Sequence, residues 1–331
     1  MLIDRLDQLL KPIHRLLAAE RQKCLACGRT ASLSHAHLGV CRTCFLSIPW
    51  ITKPRCVYCG RPIGCPDCTR EQAGSWHFVC NRSAVTYNAD MREWLAQYKY
   101  RGNESYAPLL IRMMERAYRQ LQQEIRQKLQ LVSSGKNGKV SAQEPWQAHL
   151  VTSVPVSYER LKERGFNQAE VLARGLADRL KLPYAELLQR DRHTNKQSFK
   201  SRMDRLKDMQ GVFRTLPDAA FLIERQAQAN RISRYSRFPG IDNSLRSNSS
   251  RTNALVSNAS ISNSHSSNSK RLNSINSNFP SGLSPFVLRI LLIDDIYTTG
   301  STLNACAQAL ELAGESQGIL VEVYCLTFAR S

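Results

Sequence analysis

Four Cys-x-x-Cys pairs crowd one short stretch of this chain: Cys24/Cys27, Cys41/Cys44, Cys56/Cys59 and Cys65/Cys68. They hold eight of its eleven cysteines. A two-residue gap lets a tight turn aim two thiolates at one point, which a tetrahedral zinc site requires and a disulfide framework does not. The opening residues, Met1-Leu-Ile-Asp-Arg, show no apolar block followed by a small-residue cleavage site, which argues against secretion and an oxidising surround. The expectation is a small zinc-ribbon-like module holding about two structural Zn2+ ions, with a disulfide-stapled module as the alternative. Pairing neighbours gives one group of Cys24, Cys27, Cys41 and Cys44 and another of Cys56, Cys59, Cys65 and Cys68. A crossed pairing satisfies the spacing equally. His35 and His37 are further donors in the first loop, although four thiolates already fill a structural site. Cys80 is the remaining cysteine near enough to substitute.

The other 250 or so residues must build something larger, since 331 residues suggest about two domains. Hydrophobic residues make up 42% of the chain, enough for a packed core. The net charge of +19 suits polyanions: nucleic acid, phosphorylated small molecules or an anionic membrane surface. Leu2, Leu6, Leu9, Leu10, Ile13, Leu16 and Leu17 fall at helical spacing, predicting a helix that packs on the body of the protein or lies on a membrane surface. No apolar run is long enough to span a bilayer. A cytoplasmic protein is expected.

One region resists any fold. From 241 to 284, Ser and Asn supply more than half of the residues, and Asn recurs at every fifth position from Asn243 to Asn278. No helix or strand has that period, so the tract from 226 to 284 is expected to be a disordered insertion. It contributes only +6 of the net charge, so the rest of the chain is basic in its own right.

Elsewhere the pattern alternates strand and helix, as in an α/β domain. Strands are expected over 79–87, 150–156, 287–293 and 319–328, and helices over 90–100, 107–128, 167–181 and 302–313, with Asn167 an N-cap. A polar loop is expected over 133–145. Val287-Leu-Arg-Ile-Leu-Leu-Ile293 is almost continuously apolar, as in a parallel strand buried on both faces.

Chemistry gathers just after that strand, in Asp294-Asp295-Ile-Tyr-Thr298-Thr299-Gly300-Ser301-Thr302. Thr298, Thr299, Gly300, Ser301 and Thr302 offer backbone N–H groups, hydroxyls and the positive end of a helix, which suit a phosphate monoester. Gly300 would let the backbone approach it closely. Asp294 and Asp295 would repel phosphate and instead accept hydrogen bonds from a neutral polyol. A sugar phosphate satisfies both halves.

This string resembles the phosphoribosyl-diphosphate (PRPP) binding motif of type I phosphoribosyltransferases. The resemblance implies that Asp294 and Asp295, the candidate catalytic residues, hold the ribose hydroxyls. It also implies that the Thr298–Thr302 loop holds the 5′-phosphate, and that Mg2+ bridges the diphosphate and the ribose. Val154-Pro-Val-Ser-Tyr-Glu-Arg160-Leu-Lys-Glu-Arg164-Gly-Phe-Asn-Gln168 resembles the signature of the ComF family, competence-associated proteins with a phosphoribosyltransferase-like domain behind a cysteine module. Arg190, Gln197, Arg202, Arg205 and Phe213 stand at family-like positions, whereas Asp208 and Gln210 depart from them. Tyr98-Lys-Tyr-Arg-Gly102 resembles the segment that opens the transferase domain, with Lys99 a further PRPP-binding candidate. Arg160 and Arg164 are candidates for the diphosphate, because Arg suits bidentate phosphate binding. A second basic cluster runs from Arg190 to Lys207.

Two readings follow. One is a protein of DNA uptake and natural transformation that binds PRPP with Mg2+ and handles single-stranded DNA beside competence proteins, with peripheral contact with inner-membrane machinery. The other is an active phosphoribosyltransferase of nucleotide salvage or synthesis whose acceptor the sequence does not name. The expected layout is an N-terminal helix (1–22), a double zinc module (23–75), a phosphoribosyltransferase-like domain (76–225 and 285–331) and the insertion between its halves (226–284).

Overall fold

A computed structural model describes residues 21–65, 68, 76–100, 105–134, 146–191, 211–236 and 286–331. The helix expected over 2–19, nearly all of the 133–145 loop, Arg192 to Lys207 and the Asn/Ser tract beyond 236 lie outside these residues.

The cysteine module opens with an antiparallel pair, β1 (Arg21–Lys23) and β2 (Thr30–Ser32), and continues through a 3-10 turn (His35–His37) and α1 (Arg42–Leu46). The body of the protein runs β3 (Cys80–Thr86), α2 (Ala89–Tyr100), α3 (Tyr106–Ser134), β4 (Leu150–Ser153), α4 (Tyr158–Arg164), α5 (Gln168–Leu180), β5 (Leu188–Arg190), β6 (Phe213–Thr215), α6 (Ala219–Ser236), β7 (Val287–Tyr297), α7 (Ser301–Glu315) and β8 (Leu320–Arg330). Strands β3, β8, β7 and β4 form, in that order, a four-stranded sheet whose pairings are all parallel. Helices flank it, as the expected α/β class requires. β5 and β6 form a separate antiparallel pair.

The apolar run of β7 sits at the centre of this sheet because both of its faces are covered. Leu291 and Ile293 enter a core shared with α2, α3 and α5, while Leu288, Ile290 and Leu292 enter one shared with α6 and α7. Each such fully buried aliphatic side chain contributes roughly 1.5–3 kcal/mol. α5 begins where Asn167 Oδ1 accepts from the Ala169 N–H at 3.1 Å, the expected cap, and buries Leu172, Ala173, Leu176 and Ala177. The two cysteine groups divide between the cores: Cys24 and Cys41 join the first, Cys59 and Cys65 the second.

Three expectations need correction. β7 does not stop at Ile293 but runs through the acid pair to Tyr297, because β8 continues beside it and pairs with Asp294, Ile296 and Tyr297. The strand expected over 150–156 ends at Ser153, and the chain beyond it forms a short helix, α4, with Ser157 Oγ accepting from the Arg160 N–H and Gly165 in the left-handed conformation at its end. The insertion cannot begin at 226, because α6 continues to Ser236. Ala227 is 1% exposed, and Gln226 Nε2 donates to His149 O at 3.0 Å. Among the described residues, no helix is long and apolar enough to cross a membrane.

Candidate functional site

In a parallel sheet every strand ends on the same edge, and ligands bind in the crevice beyond it. The neighbouring strands β4 and β7 both deliver their loops there, and the Val154 N–H donates to Ile293 O at 2.9 Å between them. From β4 comes α4 with Arg160 and Arg164. From β7 come the acid pair and the Thr298–Gly300 loop, with α7 starting at Ser301.

Asp294 and Asp295 differ in their surroundings. Lys99 Nζ at the end of α2 forms an ion pair with Asp295. Asp294 Oδ1 accepts from the Asp295 N–H at 2.8 Å. Burial, reinforced by the negative charge of Asp295, pushes the Asp294 carboxyl up to about 7, although Lys99 and Arg190 pull the other way. The pair thus sets an acid ion-paired with lysine beside a carboxyl held toward its protonated form. Such a pair both accepts and donates hydrogen bonds, as two adjacent hydroxyls of a polyol require.

The cationic candidates part company. Burial, and after it the charge of Arg160, press the Arg190 guanidinium below its ordinary pKa, while Asp294 pulls the other way. Arg164 is engaged elsewhere. It donates to Gln168 Oε1 at 2.8 Å and to the Tyr100 hydroxyl at 3.0 Å, with its guanidinium 4.9 Å from the centre of the Tyr100 ring. Tyr98 donates from its hydroxyl to Gln168 O at 2.9 Å and packs edge-on against Phe166. Arg164 therefore ties α2 to the start of α5, and so fixes the helix that presents Lys99. Of the second basic cluster, Arg190 alone falls among the described residues.

The loop is held from below. Gly300 caps α7 with φ +80°, and a Cβ there would lie 2.3 Å from the Tyr297 hydroxyl oxygen, so glycine is needed for the backbone to lie on that ring. Thr299 Oγ1 and Ser301 Oγ lie 3.1 Å apart. Arg330, at the end of β8, donates to Tyr297 O at 3.3 Å and Thr298 O at 3.0 Å. Tyr297 and Arg330 escape a reading of the sequence: the first sits where the motif tolerates variation, and the second is placed by pairing between distant strands. Its one sequence signal is a charge closing a mostly apolar strand.

The cysteines assemble as neighbours. The sulfur atoms of Cys24, Cys27, Cys41 and Cys44 all lie within 4.8 Å of one another, and so do those of Cys56, Cys59, Cys65 and Cys68. Four thiols at that separation fit a Zn2+ ion, and crossed pairing is excluded. Beside the first group, the Arg29 guanidinium bonds the exposed Cys27 thiol and lowers it to about 6. The second group is wedged under the sheet. Gly60, at φ +72°, lies so close to β3 that a Cβ would meet Asn81 O at 2.6 Å. Cys80, Cys306 and Cys325 are buried in the body, and His35 and His37 stand outside both groups.

No family model matches this chain. Two curated proteins do, both named Competence protein ComFC. The one from Bacillus subtilis is 30% identical over 175 residues, or 50% of this chain and 61% of that protein. The one from Streptococcus pneumoniae is 23% identical over 308 residues, or 88% of this chain and 94% of that protein. The chain is thus similar to competence proteins of this name. The similarity spans less than two thirds of the Bacillus protein but nearly the whole of the Streptococcus one.

Proposed function

We propose that this chain is of the ComF family, binds PRPP with Mg2+ at the carboxyl edge of β7 and β4 and serves DNA uptake in natural transformation, handling single-stranded DNA on the cytoplasmic side. The observation that carries the ligand is the acid pair, tethered by Lys99, immediately before a hydroxyl-rich loop at a helix N-terminus. The polyol half and the phosphate half of the site stand in the order a ribose 5-phosphate needs. Arg190 supplies positive charge near Asp294, with Arg160 near Arg190, where a diphosphate would require it. Mg2+, when bound, would neutralise part of the diphosphate charge. The competence role rests on the names of the two relatives, and the DNA role on the net charge of +19. Two structural zinc ions complete the proposed protein, with peripheral contact with membrane-bound uptake machinery.

The charge beside Asp294 also favours a second reading, an active transferase, because it would stabilise a departing diphosphate. Calorimetric titration of PRPP with Mg2+, run beside salt-dependent binding of a fluorescent oligothymidylate, tests the first reading. Absence of PRPP binding in zinc-replete protein would refute the ligand, and oligonucleotide binding that ignores salt would refute the electrostatic DNA role. Diphosphate release from PRPP that depends on one base or amine would select the transferase.

A further inference from the structure

Arg330 is 4% exposed, and its guanidinium joins two regions far apart in the sequence. On one side Nη1 donates to the carbonyls of Tyr297 and Thr298, and on the other Nη2 faces Cys59 Sγ at 3.7 Å. Its Cζ lies 4.5 Å from the centre of the Tyr297 ring, whose hydroxyl supports Gly300. Trp76, just beyond the second cysteine group in the chain, closes on Gly300 from another side and packs against Phe78, which meets Tyr297 edge-on. The loop that caps α7 therefore rests on residues organised around the second group.

Charge gives that contact a direction. Four thiolates around Zn2+ carry a net charge of −2, and a buried anion of that size requires cations and N–H donors nearby. Arginine stays protonated even when buried. Arg82, 5% exposed, donates to Val57 O and Asn81 O but pairs its charge with Glu124, so Arg330 is the arginine that meets a sulfur of the group, on the side facing the loop. With the metal in place, the thiolate charge holds one end of Arg330 while the other end holds the loop carbonyls.

We propose that Arg330 is a positioning residue of the Thr298–Gly300 loop and that the second cysteine group holds it there, so that metal on this group sets the loop's affinity for a phosphorylated ligand. The ligand rests on the PRPP reading above; the positioning of the loop does not. Arg330→Gln and Arg330→Lys are compared with the parent protein by zinc content, by calorimetry with PRPP and Mg2+ and with ribose 5-phosphate, and by amide hydrogen exchange over 298–303. Arg330→Gln should keep both zinc ions, weaken both ligands by roughly ten- to a hundredfold, on the scale of hydrogen bonds to a charged group, and speed exchange over 298–303. Arg330→Lys, which keeps the charge and one donor, should recover part of each. Cys59→Ser should reproduce the faster exchange; if it does not fold, partial chelation of zinc from the parent protein replaces it. Ligand affinities within twofold of the parent, or exchange unchanged in Arg330→Gln, would overturn the proposal. If the parent binds neither PRPP nor ribose 5-phosphate, the PRPP reading fails, and hydrogen exchange alone then decides whether Arg330 positions the loop.

Discussion

The two cysteine groups have the same ligands and different surroundings. The first has one open corner. Cys24 and Cys41 are buried in the core, but Cys27 is exposed and Arg29 beside it is in solvent, while Tyr106 donates to Leu25 O at 3.0 Å. The second is built into the wall beneath the acid pair and its loop. Cys59 is fully buried, Asn81 Nδ2 donates to its carbonyl oxygen at 3.2 Å, and Arg330 lies against its sulfur. Ligand geometry makes both groups fit for metal, but the surroundings decide what depends on that metal. The open corner of the first, at Cys27, should stabilise little beyond its own ribbon, whereas the second should stabilise the edge of the sheet where the candidate ligand sits.

The largest expected difference is in stability. Cys59→Ser and Cys27→Ser should each lower the zinc content by about one ion. Cys59→Ser should cost on the order of 3 kcal/mol or more of the body's stability, since it leaves a buried group with unsatisfied thiols. Cys27→Ser should leave the body's melting temperature within a few degrees of the parent. Equal losses, measured by elemental analysis and calorimetric melting, would break the comparison.

Next in size is the acid pair. Asp294→Asn with Asp295→Asn should fold, keep both zinc ions, and lose PRPP binding by about 2–4 kcal/mol, the scale of charge-assisted hydrogen bonds. Oligonucleotide binding should hold or tighten slightly, because two negative charges are gone. A parallel loss of both ligands would mean that one site serves both.

A smaller effect follows from reciprocity. If ligand affinity depends on metal at the second group, the ligand must in turn tighten that metal. Saturating PRPP with Mg2+ should slow the release of one zinc ion to a chromogenic chelator several-fold and leave the other unchanged. Uniform slowing would erase the distinction between the two groups.

The smallest expected effect concerns pH. The folded Asp294 carboxyl titrates near 7 and the unfolded one near its ordinary 3.8, so the folded state holds the extra proton between these values. Its contribution to stability is fully present below about 4 and is lost as pH rises through about 7. Measured between pH 5.5 and 8, where zinc thiolates persist, the parent should lose stability relative to Asp294→Asn as pH rises. A flat difference would mean that the acid pair is better solvated than its geometry implies.

Much of this was legible locally. The Cys-x-x-Cys spacing, the apolar run of β7, the acid pair before a hydroxyl-rich turn, and Asn167 as a cap are each written in a few consecutive residues. What escaped depends on distant partners. β7 reaches Tyr297 because β8 runs alongside as far as Arg330, and no window around Asp294 contains that information. The contacts of Arg164 with Tyr100 and Gln168 are likewise set by how α2 meets α5, and its charge alone does not show them. α6 is masked by the composition shift beside it, although Ala219, Ile223 and Ala227 recur every fourth residue and face the core.

The position of β7 also determines what the chain tolerates before it. The strand is eleven residues long and carries the acid pair near its far end. At ~3.3 Å per residue, the point where the chain enters β7 at Val287 lies about 33 Å from Tyr297. Residues added just upstream therefore join the sheet at the edge opposite the candidate ligand, where extra length costs little entropy. A fluorescent domain joined to the chain just ahead of Val287 would enter the sheet at the end away from the acid pair and its loop.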